Sequence, residues 1–299
     1  MKNNLPTISV IIPAYNAADE IEILIDSLRS QSYDHDKIEI YIVDNNSQDK
    51  TREIIEKYEG INLILQDKIQ SSYASRNEAI DISKGDILAF TDSDCVLTED
   101  WLKEAISCFD RTSADIIGGN IEFTFSDKMG IYEKYDSIYH MNQRATVARG
   151  RSVTANIFVK RHVFEKAGKF RNDLISGGDS EWCERALKAG FKMEFCENAL
   201  LFHPARIGYH ANVKKEKRIG KGEGQIRLKS PKYKSKFNEI AKLLLLLPFD
   251  TVRYLVPLIT ALLKRKIVFW DFIVLIGIAK WMFFQKRLST IKYIKRHGL

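Results

Sequence analysis

Two aspartates one residue apart, Asp92 and Asp94, flank Ser93 directly after an apolar run. At a strand end both carboxylates can point into one site. There a divalent cation bridging carboxylate and phosphate oxygens would neutralise a departing diphosphate without a protonated acid. A bare Asp-x-Asp can also make an Asx-turn, or cap a helix ahead of Trp101. Asp44 ends another apolar run. Its carboxylate can accept a hydrogen bond from a uracil imide N–H, or shape the turn Asp44-Asn45-Asn46-Ser47. His203 ends a third run; imidazole suits Mn2+-like metals, although a lone histidine is more often structural. Asp179 follows Gly177-Gly178 where a helix opens. Such a carboxylate can take a proton from an attacking hydroxyl, and capping its helix is compatible with that work.

The elements that must position these residues alternate in period. Strand-length apolar runs occupy 7–12, 38–43, 61–65 and 86–91. Between them Ile21, Leu24, Ile25 and Leu28, and later Leu102, Ala105, Ile106 and Phe109, recur at helical spacing. Apolar strands alternating with helices predict an α/β fold with a mostly parallel sheet covered on both faces. Ligands of such sheets sit beyond the carboxyl ends of the strands, where the acids lie. Beyond residue 110 the pattern predicts a helix near 129–141 and a strand at 153–158. The helix after Asp179 should put Cys183, Ala186, Leu187 and Gly190 on one face, and two strand pieces follow near 192–196 and 199–203.

The 299 residues suffice for a large domain with an appendage. Residues 1–205 carry 24 Lys+Arg against 34 Asp+Glu, a net of −10, whereas residues 206–299 carry 22 against 5, a net of +17. An acidic body joined to a basic tail points to an anionic surface as the tail's partner. Nucleic acid is disfavoured, since the tail has no readable binding motif and the body is acidic. Cys95, Cys108, Cys183 and Cys196 form no CxxC pair and fit small core residues in a reducing compartment. The opening residues, with Pro6 and Pro13, make a poor signal peptide and a good first strand. No GxGxxG follows the first strand and no P-loop occurs, which removes the main support for those nucleotide sites.

Over residues 8–203 the segments SVIIPAYN, IVDNNSQDKT, SRNEAI, LAFTDSDC, ANIFVKRHVFEKAGKF, GGDSEWCERALKAG and FHPAR, in this order, resemble the family two glycosyltransferases. The resemblance implies a GT-A fold, a Rossmann-like sheet sandwiched by helices, and inverting transfer from a nucleotide-sugar. It implies that Asp94 ligates Mn2+ or Mg2+, that Asp92 lies close to the ribose and metal, with Ser93 among the residues that bind the nucleotide-sugar, and that His203 is a further ligand. Asp44 would read the base, with Pro13, Ala14 and Tyr15 forming the wall around it. Arg76, ahead of Asn77, would lie on the phosphate side, an exposed helix arginine being the alternative. Asp179 would be the general base, in a motif where glycine stands for an acid the family often has. Glu181 would orient the acceptor and Asn156 would line the acceptor side.

Residues 1–205 thus read as a GT-A domain, 206–238 as a mobile basic linker or lid, and 239–299 as an amphipathic, apolar helical region that associates with membranes. Charge-free stretches of the tail reach only ten residues, 254–263, and Pro248 and Pro257 interrupt the pattern. A bilayer span needs roughly 20 apolar residues. Lys242, Asp250 and Arg253 share one side of a helical wheel, which leaves an apolar face. Lys264-Arg265-Lys266 and Lys286-Arg287 would then face anionic lipid. A hairpin dipping into the bilayer and a dimerising or core-capping helical pair are the alternatives. The expected activity is transfer of a sugar from a UDP-sugar to a lipid-linked or glycan hydroxyl at the cytoplasmic face of the membrane. A haloacid-dehalogenase-like phosphatase and a non-catalytic sugar-nucleotide-binding scaffold are the competing readings.

Overall fold

The computed structural model describes residues 5–230, 233, 235–245 and 250–298, with side chains described outside 250–253. Its strands are β1 (Ile8–Ala14), β2 (Ile38–Asp44), β3 (Ile61–Leu65), β4 (Ile87–Thr91), β5 (Val96–Leu97), β6 (Ile116–Thr124), β7 (Asn156–Lys160) and β8 (Met193–Pro204). Its helices are α1 (Ile21–Arg29), α2 (Thr51–Ile55), α3 (Ser72–Ile82), α4 (Trp101–Thr112), α5 (Ile131–Tyr139), α6 (Gln143–Val147), α7 (Arg161–Ala167), α8 (Gly178–Lys188), α9 (Tyr209–Leu228), α10 (Lys236–Leu245), α11 (Asp250–Leu263) and α12 (Phe269–His297).

Two compact units form. The first gathers residues up to 123, 142–173 and 178–204 around one eight-stranded sheet of order β3-β2-β1-β4-β7-β6-β8-β5. In β1 the residues Ile8, Val10, Ile11 and Ile12 are all fully buried, as a strand covered on both faces requires. β3, β2, β1 and β4 run parallel, with Ile8 beside Ile38 and Ile87. α1 and α4 bury the very positions that their periodicity marked.

The sheet is mixed, however, where a mostly parallel one was expected. β7 runs antiparallel to β4 and to β6, and β5 antiparallel to β8. A strand buried on both faces is apolar in either direction, so the run at 153–158 carried no sign of its polarity. The two pieces expected at 192–203 are one twelve-residue strand, β8. On α8 the buried face is Trp182, Cys183 and Ala186, while Leu187 is half-buried and Gly190 lies past the helix end at φ +92°.

The second unit comprises residues 124–141, 174–177 and 205 onward. Its apolar core joins Tyr135, Val213, Tyr254, Leu258, Ala261, Ile267, Leu275, Ala279 and Met282. The segment 206–238, read as a mobile linker, holds the 20-residue helix α9, and α10 runs across the expected boundary at 238/239. The glycines that suggested mobility serve close packing. A Cβ on Gly220 would lie 2.2 Å from the Lys286 carbonyl oxygen of α12, and one on Gly224 3.1 Å from that of Thr290. Glycine at i and i+4 lets the two backbones meet, and the Ser289 hydroxyl donates to the Lys217 carbonyl at 2.8 Å.

Polar side chains also fill this interior. Asp136, fully buried on α5, accepts from Lys215 Nζ at 2.7 Å and from the Arg206 N–H at 3.0 Å. His140 Nδ1 lies 2.8 Å from the Asp136 carboxylate and its Nε2 2.9 Å from that of Glu216. Burial opposes charge on Asp136, but the bonds and charges of His140 and Lys215 outweigh it and hold the carboxyl below the ordinary range. Pro257 lies inside α11, which continues past it despite the missing N–H. Pro248, and the side chains of Asp250 and Arg253, lie outside the described residues. Among the described residues no helix is long and apolar enough to cross a membrane.

Candidate active site

β4 ends at Thr91, and the chain turns through Asp92-Ser93-Asp94. The Cys95 N–H closes that turn on the Asp92 carbonyl at 3.2 Å. The residue that caps α4 is Asp100, so neither aspartate of the Asp-x-Asp serves as that helix's cap. Pairing of β5 with β8 sets Val96 opposite Phe202, and this antiparallel register carries Asp94 to His203. His203 is 2% exposed, and its Nδ1 lies 2.8 Å from the Pro204 carbonyl oxygen. That bond places the ring proton on Nδ1 and leaves the Nε2 lone pair for a ligand. Nε2 lies 3.6 Å from Asp94 Oδ2, wider than a hydrogen bond. One ligand atom each from Asp92, Asp94 and His203 falls within 4.8 Å of the others. Two hard carboxylates and an imidazole fit a Mn2+- or Mg2+-like cation, so the donor set suits the implied metal. The Phe123 ring packs edge-on against His203 at 5.9 Å.

Arg76, on α3, is buried at 2% exposure, which excludes the solvent-facing alternative. Its Nη2 bonds Asp92 Oδ1 at 2.5 Å, and its buried Nε has no hydrogen-bond partner. Asn77 instead staples α3 to Phe170, with bonds of 2.8 and 3.1 Å in the two directions. One turn before Arg76, the Tyr73 hydroxyl accepts the Gly178 N–H at 2.9 Å. A single helix therefore holds both Asp92 and the start of α8, where Asp179 sits.

Asp179 Oδ1 accepts the Ser180 N–H at 2.8 Å. Burial pushes its carboxyl above the ordinary range, against that bond and the Arg76 charge, and Asp92 adds to the rise. A carboxylate so poised is a stronger base than one in water.

The remaining expected residues divide. Ala14 is buried and pairs with Asp44 across β1 and β2, so only its backbone, half-buried Pro13 and exposed Tyr15 can face a ligand. Asp44 is fully buried. It accepts the Ser47 N–H at 3.2 Å and Arg52 Nη2 at 3.0 Å, which is the turn-forming role. Glu181 is held by Arg185, one helical turn on, at 2.8 and 3.2 Å. Asn156, expected on the acceptor side, is tied into the sheet interior. It is fully buried, accepts Trp101 Nε1 at 2.9 Å, and donates to the Asn120 and Ala199 carbonyls at 2.7 and 3.0 Å. Gly119 makes room for it, since a Cβ there would lie 2.5 Å from the Asn156 amide.

Three contributors were not foreseen. Tyr73 was signalled only by its helical spacing from Arg76. The loops after β1 and β2 brace one another, with the Asn16 N–H on Ser47 Oγ at 2.9 Å and the Ala17 N–H on Thr51 Oγ1 at 2.8 Å. Glu20 has its carboxyl raised by burial and by the Asp19 and Asp94 charges, which places it in the field of the metal-type cluster.

The arrangement can hold a cation against a diphosphate while a separate carboxylate takes a proton. Known proteins share the chain's family and its fold. The family model for glycosyl transferase family 2 matches residues 9–170. The glycosyltransferase AglE of Haloferax volcanii is 40% identical over 231 residues, 76% of each chain. The amylovoran biosynthesis glycosyltransferase AmsB of Erwinia amylovora is 32% identical, over 62% of this chain and 65% of its own. The fold resembles that of the mannosyltransferase PcManGT from Pyrobaculum calidifontis, solved with GDP-Man and Mn2+ (TM-score 0.66, 16% identity, 99% of this chain and 89% of that one). It also resembles Staphylococcus aureus TarS 1–349 with UDP-GlcNAc (TM-score 0.53, 20% identity, 72% and 64%). These matches favour neither a phosphatase nor a decayed binding scaffold. The chain belongs to glycosyl transferase family 2.

Proposed function

We propose that the protein transfers a glycosyl unit from a UDP-sugar to a hydroxyl of a membrane-associated lipid or glycan, with inversion at the anomeric carbon. The observation that carries this is the convergence of Asp92, Asp94 and His203 on one point, tied through Arg76 and Tyr73 to the helix that presents Asp179. Both ligand-bound structural relatives carry a nucleoside diphosphate sugar, and PcManGT also Mn2+. Uracil and guanine both offer ring N–H donors, so the wall of Pro13, Ala14 and Tyr15 and the turn after Asp44 suit either, with uracil our first choice.

A cation held by Asp92, Asp94 and His203 would supply charge neutralisation for the departing diphosphate. Arg76 holds Asp92 in place and adds a fixed positive charge on the phosphate side. Asp179 accepts the proton of the acceptor hydroxyl while that oxygen bonds to the anomeric carbon. The bond from that carbon to the diphosphate oxygen breaks, and the nucleoside diphosphate leaves with the electron pair. One displacement by one base gives one inversion. Names such as amylovoran biosynthesis among the relatives support an envelope polysaccharide or glycolipid as product class. Four buried, unpaired thiols suit a cytoplasmic-face location.

Calorimetry of UDP- and GDP-sugars, with and without Mn2+, tests the reading. One UDP-sugar should bind only with the cation. Binding of GDP-sugars alone would overturn the base assignment, and binding indifferent to cation would overturn the metal site.

A further inference from the structure

The helices α11 and α12 are apolar on two faces, and only one of them is covered. On α11, Tyr254, Leu258 and Ala261 enter the core, while Val256, Ile259 and Leu263 stand on the other side. On α12, Leu275, Ala279 and Met282 are buried, while Trp270, Ile273, Val274, Trp281 and Phe284 are exposed. At about 100° per residue those five fall within roughly 60° of one line, four turns long. Trp270 is 75% and Leu263 79% exposed. A helix apolar all round is normally enclosed, not half in water.

Charge identifies the cover. The corner between the helices is Lys264-Arg265-Lys266, all exposed, and Lys280 borders the α12 stripe. The pair Lys286-Arg287, read above as facing lipid, instead turns inward to Glu223 at 3.6 and 3.8 Å. Of the two basic clusters read above as facing lipid, the one left outward is thus that at the corner, next to exposed Val268, Phe269 and Trp270. Tryptophan beside cations and aliphatic side chains is the composition of a bilayer's headgroup boundary.

We propose that the α11–α12 corner, with the stripes Val256-Ile259-Leu263 and Trp270-Ile273-Val274-Trp281-Phe284, docks into the interface of an anionic lipid bilayer without crossing it. This surface stands apart from the transferase reading and is testable without any sugar.

The test uses the full chain and intrinsic fluorescence with vesicles of phosphatidylcholine, alone or with phosphatidylglycerol. Trp101 and Trp182 are fully buried already, so a change on adding vesicles reports Trp270 and Trp281. The expected result is a blue shift and co-sedimentation with anionic vesicles, weakened by salt. Trp270→Glu with Ile273→Glu should lower partitioning at least tenfold while the circular dichroism spectrum is kept. Each of Lys264, Arg265 and Lys266 changed to Gln should cost about fivefold. Unchanged partitioning in the double variant would overturn the proposal. So would a blue shift arising without lipid from stripe-dependent self-association, which would make a second copy the occupant.

Discussion

Replacing Asp179 by Asn keeps the side chain's shape and an oxygen for the Ser180 N–H, 2.8 Å away, but removes its capacity to take a proton. General-base catalysis contributes on the order of 10²- to 10⁴-fold, so kcat should fall by that factor, about 3–5 kcal/mol in the barrier. Asp92, Asp94, His203 and Arg76 are untouched, so the affinity for nucleotide should stay. The wild-type carboxyl is raised by burial, and its charged form is the active one. The acid limb of kcat should therefore lie above the ordinary carboxylate value near ~4 and vanish in the variant. Stability should move the other way. A raised carboxyl makes the folded state hold its proton more tightly than the unfolded one. The destabilisation sets in as pH rises from the unfolded pKa and is complete above the folded one. At neutral pH the Asn variant should accordingly melt higher. Transfer assays with radiolabelled donor, calorimetry with UDP and thermal melts read the three quantities. Turnover within about threefold of wild type, or a loss of nucleotide affinity matching the loss of rate, would refute the assignment of Asp179 as base.

Arg76→Gln removes the positive charge that opposes burial at Asp179, so the acid limb of kcat should shift to higher pH; a fixed limb would separate the two residues. Asp136→Asn strips the buried partner of Lys215 and should cost about 3–5 kcal/mol in urea unfolding at pH 7. Because the Asp136 carboxyl is held low, its contribution is present above the unfolded pKa. The gap to wild type should narrow below about pH 4 and close as the folded carboxyl protonates. Gly220→Ala places a methyl against the Lys286 carbonyl and should destabilise by ~1–3 kcal/mol in the same assay, whereas an unaltered midpoint would mean that α9 and α12 do not pack there.

The parallel half of the sheet and the acids at its strand ends were legible because burial on both faces and a strand-end position each leave a local pattern. Direction did not show in β7, since NIFVK reads the same either way round. Asn156 resembled a site residue because nothing local distinguishes an amide facing a ligand from one knitting β6, β7 and β8 together. The glycines of α9 imitated a mobile segment, since close helix contact and conformational freedom call on the same residue type. Lys215 and Glu216 lie in the segment read as a mobile basic linker or lid. Their burial against Asp136, Tyr135 and His140 depends on α5, about 80 residues away in sequence, and no window along the chain could have shown it.

The most direct test of the cation-centred site is Mn2+ titration followed by electron paramagnetic resonance in the presence of UDP, on wild type and on His203→Ala. The free-ion signal should be lost at one equivalent in the wild type, with affinity at least ~10-fold weaker in the variant. Equal uptake of Mn2+ by both proteins, or none by either, would contradict a site built from Asp92, Asp94 and His203.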